Sequence, residues 1–286
     1  LELQLIVTGA HLEPRFGITV QQIEADGFAI DERVPLGLES DAPGDLARAM
    51  ARCLEGTSEA LGRLRPDLML ALGDRYEILA AAQAAMLHRV PLAHIAGGDI
   101  TEGAFDESIR HALTKLAHLH LTTTAEAAAR VARMGEEPWR IHVVGSPGLD
   151  QLRRLELLDR TALEDALGAS LGSRNLLVTW HPVTLEADRG LAGFEALLAG
   201  LDALPREVAK WITRPNADPG GAALEAALDA RVVELALRAG PDGDDLLLDR
   251  VRRVLRLLEQ LGQARTAGQL TTRGLVEVGR EHRECL

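Results

Sequence analysis

Ionisable side chains are concentrated in one short segment, HIAGGDITEGAFDESIRHALTK, which runs from His94 to Lys115. The segment combines a Gly-Gly-Asp turn with further carboxylates, an arginine, histidines and a lysine. A positioned carboxylate can act as a general base, and nearby cations can stabilise negative charge that develops in a reaction. The candidate catalytic residues of this segment are Asp99, Glu102, Asp106 and Arg110.

The chain after the two glycines predicts a helix that begins at Asp106 or Glu107. Asp106 and Arg110 lie four residues apart, so they share one face of that helix. Spacing alone favours an ordinary ion pair on the helix surface, which is a weak stabilising contact. A catalytic interpretation of both residues therefore needs evidence beyond their spacing.

Other histidines and the cysteines do not suggest a metal site. His111, His118 and His120 favour histidines of the core or of a strand, because no third ligand follows at a suggestive spacing. Cys53 and Cys285 lie far apart and are expected to be free thiols of a reducing cytoplasm. We predict neither a metal nor an organic cofactor.

Composition narrows the class of protein. The 286 residues, 47% of them hydrophobic, can form two domains of ordinary size. A net charge of -12, with scattered basic residues, argues against binding to the nucleic-acid backbone. No leader-like start or membrane-spanning apolar run is apparent, so we expect a cytoplasmic protein without membrane contact. Because LELQLIVTG at the start already predicts a strand, we expect a first strand to be missing.

Short apolar runs alternate with helical segments along most of the chain. The runs end in glycine or a polar turn, and they span 1–9, 66–74, 90–98, 140–148, 175–182 and 208–216. Helical segments lie between them, for example at 45–64 and 76–88. Nearly continuous apolar strands separated by helices are typical of a parallel sheet covered on both faces, which is the doubly wound α/β class.

A change of pattern predicts the division into domains. Residues 148–173 are helical and charged and carry no strand signal, so we expect the chain to cross between domains there. We assign residues 1–160 to an N-terminal domain and residues 161–286 to a C-terminal domain.

Polar residues follow the carboxyl end of several predicted strands. Asp74 and Arg75 follow the second run, Asp99 the third, His181 the fifth, and RPNADPGG ends the sixth. Ligands of open α/β sheets bind beyond these carboxyl ends. Four such ends across two domains predict a ligand cleft between the domains.

Five sequence words occur in a fixed order, namely GDRYE, HIAGGDITEGAFDESIRHALTK, HVVGSPGLD, HPVTLE and RPNADPGG. In that combination the chain resembles the UDP-N-acetylglucosamine 2-epimerases, above all the hydrolysing branch that serves bacterial sialic acid biosynthesis. The resemblance extends over about residues 1–221. It implies a GT-B-like fold, in which two Rossmann-type domains hold a sugar nucleotide in the cleft between them.

The resemblance implies an enzyme that acts on an O-glycosyl bond, with UDP-N-acetylglucosamine and water as substrates. A base removes the C2 proton, UDP departs to leave a 2-acetamidoglucal, and water adds to give N-acetylmannosamine. The C2 proton is weakly acidic, so this step needs a positioned carboxylate and stabilisation of the departing diphosphate. A homo-oligomer is also expected.

The resemblance further implies roles for particular residues. The catalytic set is Asp74, Asp106, Arg110 and His181, with Asp99 and Glu102 as lesser candidates for the base. The substrate-binding set is Arg75, His94, Asn216 and Asp218. The resemblance does not decide which carboxylate is the base.

Two of these groups also have plain structural explanations. Asp74 could cap the helix that starts at Tyr76, although the resemblance favours catalysis. Asn216 and Asp218 could form an Asx turn beside Gly220, and for them both explanations stay open.

The chain departs from the family pattern in several places. Ala96 stands where one branch has glutamate, and the Gly-Thr-Arg-Ala loop of the family's first strand is missing. The nearest candidate for the serine-rich phosphate loop is 268–278, where Thr271 and Thr272 replace serines and Glu277 would contact the ribose. The chain otherwise leaves the family pattern from about residue 222, so we expect an incomplete or divergent second domain.

Other functions stay open at this point. A nonhydrolysing epimerase of the same fold would return a product that still carries UDP, and a truncated relative would bind a UDP-sugar without turnover. The substrate could also be a UDP-diacetamido-trideoxyhexose. Because phosphate loops are missing or uncertain, we expect UDP to bind less tightly than to a full-length relative.

Overall fold

The computed structural model describes residues 1–14, 18–205, 207–215, 218–238 and 275–278. The strands are β1 (Ile6–Thr8), β2 (Glu32–Val34), β3 (Met69–Leu72), β4 (Leu92–Ile95), β5 (Leu119–Thr122), β6 (Ile141–Val143), β7 (Arg174–Val178), β8 (Val208–Thr213) and β9 (Leu275–Val278). The helices are α1 (Val20–Ala25), α2 (Pro43–Leu64), α3 (Tyr76–His88), α4 (Asp106–Leu116), α5 (Ala125–Arg133), α6 (Pro147–Arg154), α7 (Arg160–Leu167), α8 (Leu191–Asp202) and α9 (Gly221–Arg238).

The first compact unit contains residues 1–13 and 19–156. Its strands β1 and β2 form one parallel pair, and β3, β4, β5 and β6 form a parallel sheet in that order. In this register His94 of β4 lies opposite Ala71 of β3 and His120 of β5. Because neighbouring strands run parallel, their carboxyl ends meet at one edge of the sheet.

Helices α2 and α3 cover part of this unit because each has an apolar face. Small buried residues of α3, such as Ala84 and Ala85, pack with Leu61 of α2. Ile6 of β1 and Met69 of β3 contact the same cluster. Alanine has little side-chain entropy to lose and lets neighbouring elements approach closely, which suits these positions.

The second compact unit contains the described residues from Leu157 onwards, together with residues 14 and 18. Its sheet has the order β7-β8-β9, with β7 and β8 parallel and β9 antiparallel to β8. The core between this sheet and its helices consists of Val178, Phe194, Leu198, Leu201, Ile212, Leu224 and Leu228.

The predicted alternation of strands and helices, with parallel pairing of most strands, is confirmed. All six predicted apolar runs contain a strand, and α3 has the predicted bounds of 76–88. The strands are shorter than the runs because the flanking residues form turns. The exception to parallel pairing is β9, which forms part of the segment 268–278 that we expected to be a phosphate loop.

In the part of the chain that the structure describes, no helix combines the length and the apolar character needed to cross a membrane.

Candidate functional site

The carboxyl ends of β3 and β4 carry the first group of candidate residues. Strand β3 ends at Leu72 and is followed by the turn Gly73-Asp74-Arg75, after which α3 begins at Tyr76. The residue that caps α3 is Arg75, and no side chain bonds the first turn from that position. Asp74 has a different contact, because its carboxylate pairs with Arg110 of α4.

Arg110 joins the strand-end turn to the loop and helix that follow β4. It is only 4% exposed, although it carries a charge. Its Nη1 donates to the backbone oxygen of Asp99 at 2.7 Å and to Oε2 of Glu107 at 2.8 Å. Its Nη2 donates to Oγ1 of Thr101 at 2.6 Å and to the carboxylate of Asp74. Buried charges are tolerated when they are paired and hydrogen-bonded in this way.

Arg110 lies inside the unit, so the surface position that spacing alone favours for it is not observed. Spacing along one helix could not reveal that its guanidinium points towards β3 rather than solvent. Asp106 is the first residue of α4 and is half-buried, whereas Glu102 is exposed in the preceding loop. Sequence reasoning missed Thr101 and Glu107, and the i,i+3 spacing of Glu107 to Arg110 was an available signal.

The Gly-Gly-Asp turn is shaped by close packing. Gly98 has φ +81°, and a Cβ added there would lie 2.9 Å from Cγ2 of Val131 and even closer to the backbone of Ala127. Only glycine satisfies both the left-handed conformation and this approach. The next residue, Asp99, accepts a hydrogen bond from Oγ1 of Thr123 at 2.6 Å, so its side chain is anchored at the end of β5.

Arg75 is held by a buried carboxylate that sequence reasoning did not select. Its Nε lies 3.2 Å from Oε2 of Glu77, which is 4% exposed, and its guanidinium lies 5.4 Å from the centre of the Tyr76 ring. Burial raises the pKa of Tyr76, and the nearby Glu77 raises it further. The Arg75 side chain is 33% exposed, so a ligand can contact it.

His11 is a second residue that sequence reasoning missed. It follows β1 in the sequence TGAH, and its Nδ1 lies 2.8 Å from Oγ1 of Thr19. Burial lowers the pKa of His11, while the charge of Glu77 opposes that shift. The rule that polar residues follow strand ends would have found it, because Thr8 is the last residue of β1.

His94 lies beneath the strand-end turn and not at its surface. Its ring is fully buried, and its Nε2 lies 2.7 Å from the backbone oxygen of Gly73. Burial lowers the pKa of His94, and the hydrogen bond to Gly73 opposes that shift. The residue expected to bind substrate thus contacts the turn that carries Asp74.

The other three histidines of this region differ in burial and in the element on which they lie. His120 is buried in β5, as the sequence predicts, with Nε2 3.1 Å from Oε2 of Glu136. His118 is exposed just before that strand, and His111 lies on α4, 3.8 Å from Oε1 of Glu107. For these two residues the prediction of a core or strand position is wrong.

Glu136 is the centre of a second buried charge network. Lys115 donates to its Oε1 at 2.5 Å, and Arg140 donates to its Oε2 at 2.8 Å. Burial disfavours the ionised form of Glu136, but hydrogen bonds from Lys115 and His120 outweigh burial and lower its pKa. Burial lowers the pKa of His120, while Glu136 opposes that shift. The network ties α4 to β5 and to the segment before β6.

The second unit carries its candidate residues beyond β7 and β8. Oγ1 of Thr213, at the end of β8, donates to Oγ1 of Thr179 at 3.0 Å, which marks the shared edge of the two strands. His181 follows β7 and is exposed. Asp218 follows β8 and is half-buried, and its backbone oxygen accepts the N–H of Gly221 at 2.9 Å. This bond is a backbone turn and leaves both explanations for the Asp218 side chain as predictions.

Some predicted site residues lie outside the described part of the chain. Asn216, Thr271 and Thr272 lie outside the described residues. Glu277 lies in β9 opposite Trp211, and its side chain is outside the described part. The predicted domain boundary and the roles assigned to individual residues stay predictions.

Candidate metal ligands do not cluster within the described residues. No group of three or more histidine, cysteine, aspartate or glutamate side chains there could hold a metal ion. Cys53 is buried as a free thiol, near Oγ1 of Thr8 and Oγ1 of Thr57.

Comparison with known sequences links the chain to one family. A family profile described as UDP-N-acetylglucosamine 2-epimerase matches residues 1–247. A "GDP/UDP-N,N'-diacetylbacillosamine 2-epimerase (hydrolyzing)" of Campylobacter jejuni is 37% identical over 221 residues, which cover 77% of this chain and 57% of that protein. A "polysialic acid biosynthesis protein P7" of Escherichia coli is 34% identical over 220 residues, covering 77% of this chain and 56% of that protein.

Comparison with solved structures establishes the fold. The crystal structure of a UDP-GlcNAc 2-epimerase from Neisseria meningitidis, bound to UDP-GlcNAc, matches with a TM-score of 0.61 at 17% identity. The match covers 79% of this chain and 61% of that chain. The predicted GT-B-like class, with two Rossmann-type domains, is thereby confirmed. The chain spans a little over half the length of the curated relatives that it matches.

Proposed function

The chain belongs to the UDP-N-acetylglucosamine 2-epimerase family, and from that premise we propose that it is a hydrolysing 2-epimerase of a UDP-linked 2-acetamido sugar. A carboxylate removes the proton from C2, and the C1–O bond breaks as UDP leaves, giving a 2-acetamidoglucal. Water then supplies its oxygen to C1, and a proton returns to C2 from the opposite face. The products are N-acetylmannosamine and UDP when the substrate is UDP-N-acetylglucosamine.

The observation that carries this proposal is the contact between Arg110 and Asp74. One buried cation fixes a carboxylate at the end of β3, and the same cation fixes the loop after β4 through Asp99 and Thr101. The side chain of Asp74 remains 23% exposed, so a substrate can reach it. Removal of a weakly acidic C–H proton requires such a held but accessible carboxylate.

The carboxylates differ in how well they suit the role of base. Asp74 is anchored and accessible, and Asp106 is half-buried at the start of α4. Asp99 is engaged by Thr123, and Glu102 lies in an exposed loop, where fewer contacts would hold it in position. We propose that the base is Asp74 or Asp106.

The leaving diphosphate needs a cation that it can contact. Arg110 is too deeply buried for that task, because only 5% of its side chain is exposed. Arg75 is partly exposed and oriented by Glu77, so we assign it to the anion. His181, Asn216 and Asp218 are proposed to contact the nucleotide, with Thr271, Thr272 and Glu277 as further candidates.

The relatives' names leave the identity of the sugar as the main question about the substrate. The Campylobacter relative is named for diacetylbacillosamine, whereas the Escherichia relative is named for polysialic acid biosynthesis. We propose UDP-N-acetylglucosamine and a UDP-diacetamido-trideoxyhexose as the two substrates to compare, with a role in sialic acid biosynthesis for the first. We also propose a homo-oligomer and a cytoplasmic location, and the free thiol of Cys53 accords with the reducing compartment.

Product analysis tests this proposal. The purified chain is incubated with each UDP-sugar, and the sugar and nucleotide products are separated and identified. Free UDP together with a free manno-configured sugar is expected. A product that still carries UDP would instead identify a nonhydrolysing epimerase, and calorimetric binding of UDP without any product would identify a non-catalytic binding protein.

A further inference from the structure

The turn that carries Asp74 is held to β4 through both polar groups of Gly73. The N–H of Gly73 donates to the backbone oxygen of Ile95 at 3.2 Å. The backbone oxygen of Gly73 lies 2.7 Å from Nε2 of His94. Gly73 follows the last residue of β3, Leu72, and its oxygen is bound by a side chain of β4. The strand-end turn is therefore fixed by a side chain from the neighbouring strand.

The chemistry of this bond determines the form of the His94 ring. A carbonyl oxygen can only accept, so Nε2 must carry the hydrogen. Nδ1 of His94 is buried and has no hydrogen-bond partner among the described residues. A Cβ added to Gly97 would lie 3.1 Å from Nδ1, so glycine at that position leaves room for the ring. The environment thus fits a neutral imidazole that donates from Nε2 alone.

We propose that His94 is a positioning residue, which acts through the backbone oxygen of Gly73 to hold Asp74 against Arg110 and does not touch the substrate. His94 and Gly73 are the link between the sheet interior and the carboxylate at its edge. Loss of this hydrogen bond allows the peptide between Gly73 and Asp74 to move. The side chain of Asp74 then samples more conformations, of which fewer contact Arg110. The kinetic consequence rests on the proposed function, whereas the structural link does not.

His120 provides a matched control. It lies opposite His94 on the next strand and is equally buried, so its replacement disturbs a similar volume of the core. Its Nε2 contacts Glu136 instead of a strand-end turn. A general loss of core packing would therefore affect both variants, but loss of the link to Asp74 would affect only His94.

The test uses His94→Leu, His94→Gln and His120→Leu. The leucine variant removes the donor, and the glutamine variant keeps a terminal N–H at comparable reach. We expect kcat for His94→Leu to fall about 10- to 100-fold with KM within about threefold, because small misplacements of catalytic groups have effects of this size. We expect His94→Gln to recover most of kcat and His120→Leu to stay within about threefold, each per folded molecule.

A spectroscopic measurement separates this inference from the proposed function. In the parent protein, 15N-detected imidazole spectra are expected to show the Nε2–H form of His94, and 13C spectra of the Asp74 carboxyl should shift in His94→Leu but not in His120→Leu. If the parent protein is inactive but His94 has the Nε2–H form and the Asp74 carboxyl signal shifts in His94→Leu, only the proposed function is contradicted. An Nδ1–H form, or an Asp74 signal unchanged in His94→Leu, would overturn the positioning role. If His94→Leu does not fold, His94→Gln with the parental signal supports the role, and a displaced signal overturns it.

Discussion

Asp74 and Arg110 show how a charged pair can serve stability and chemistry together. Arg110 also contacts Glu107 and Thr101, so replacement of Asp74 does not leave the buried guanidinium without acceptors. The fold should therefore survive removal of the Asp74 charge, which makes this residue a clean target for a functional variant.

Replacing either candidate base with asparagine keeps the shape of the side chain and removes its ability to accept a proton. We expect at least one of Asp74→Asn and Asp106→Asn to lose exchange of the C2 hydrogen by about a hundredfold or more. Exchange is measured by proton NMR of the sugar in D2O. Asp67→Asn is the control, because Asp67 is exposed and precedes β3 at the opposite end from Asp74. Parental exchange in both test variants would direct the search to Asp99 and Glu102.

Buried titratable residues predict how stability changes with pH. The folded pKa values of His94 and His120 are lowered from 6.5, so the unfolded chain binds more protons below that pH. The stabilising contribution of each neutral histidine is therefore fully present above about pH 6.5. It falls as the pH drops towards the folded pKa, with a slope of at most about 1.4 kcal/mol per pH unit per histidine. The pKa of Glu136 is also lowered, from 4.5, so its contribution is lost at still lower pH.

Urea unfolding at pH 7.5 and pH 5.5 measures this effect. His94→Gln and His120→Gln are each expected to flatten the dependence between these two values. A parent protein whose free energy of unfolding is the same at both pH values, or rises at the lower one, would contradict the account of these buried histidines.

At the scale of elements, Gly98 fits α5 against the turn after β4. Gly98→Ala combines a left-handed backbone with a Cβ that meets the backbone of Ala127 and the side chain of Val131. Gly135→Ala is the matched control, because Gly135 has φ +91° but nothing lies within 4 Å of an added Cβ. We expect about 1–2 kcal/mol of destabilisation for the control and about 3 kcal/mol or more for Gly98→Ala. If thermal unfolding shows the same loss of stability in both variants, the close approach of Gly98 to α5 does not contribute to stability.

The sequence predicts elements better than it predicts their contacts. Apolar runs located the sheet strands at 66–74 and 90–98 because buried parallel strands are continuously apolar. The sequence pattern did not predict β2, which has only three residues, and it did not predict the antiparallel pairing of β9. Pairing of short strands depends on distant partners, which no local pattern contains.

The candidate site shows the same limit. Asp74, Asp99 and Arg110 were selected from strand ends and from sequence words, and all three meet in the first unit. The orientation of Arg110 and the burial of His94 could not be predicted, because both depend on contacts between segments far apart in the chain. The contact between Arg110 and Asp74 joins residues 36 positions apart.

For the whole molecule, we assign the cationic role in the elimination step to side chains and not to a metal ion. No potential ligand cluster exists among the described residues, and the cations assigned to the site are arginines. We therefore expect activity to be unchanged after treatment with EDTA. Activity that disappears with the chelator and returns with one divalent ion would contradict this assignment, and dialysis against metal-free buffer is the control for slow release.

The central claim is that deprotonation at C2 and departure of UDP precede addition of water. The most direct test incubates the chain with UDP-N-acetylglucosamine in D2O and, separately, in 18O-labelled water, and analyses the products by NMR and mass spectrometry. The account predicts free UDP and N-acetylmannosamine that carries deuterium at C2 and the labelled oxygen at C1. Release of N-acetylglucosamine with its original hydrogen at C2, or a deuterated sugar that still carries UDP, would contradict it.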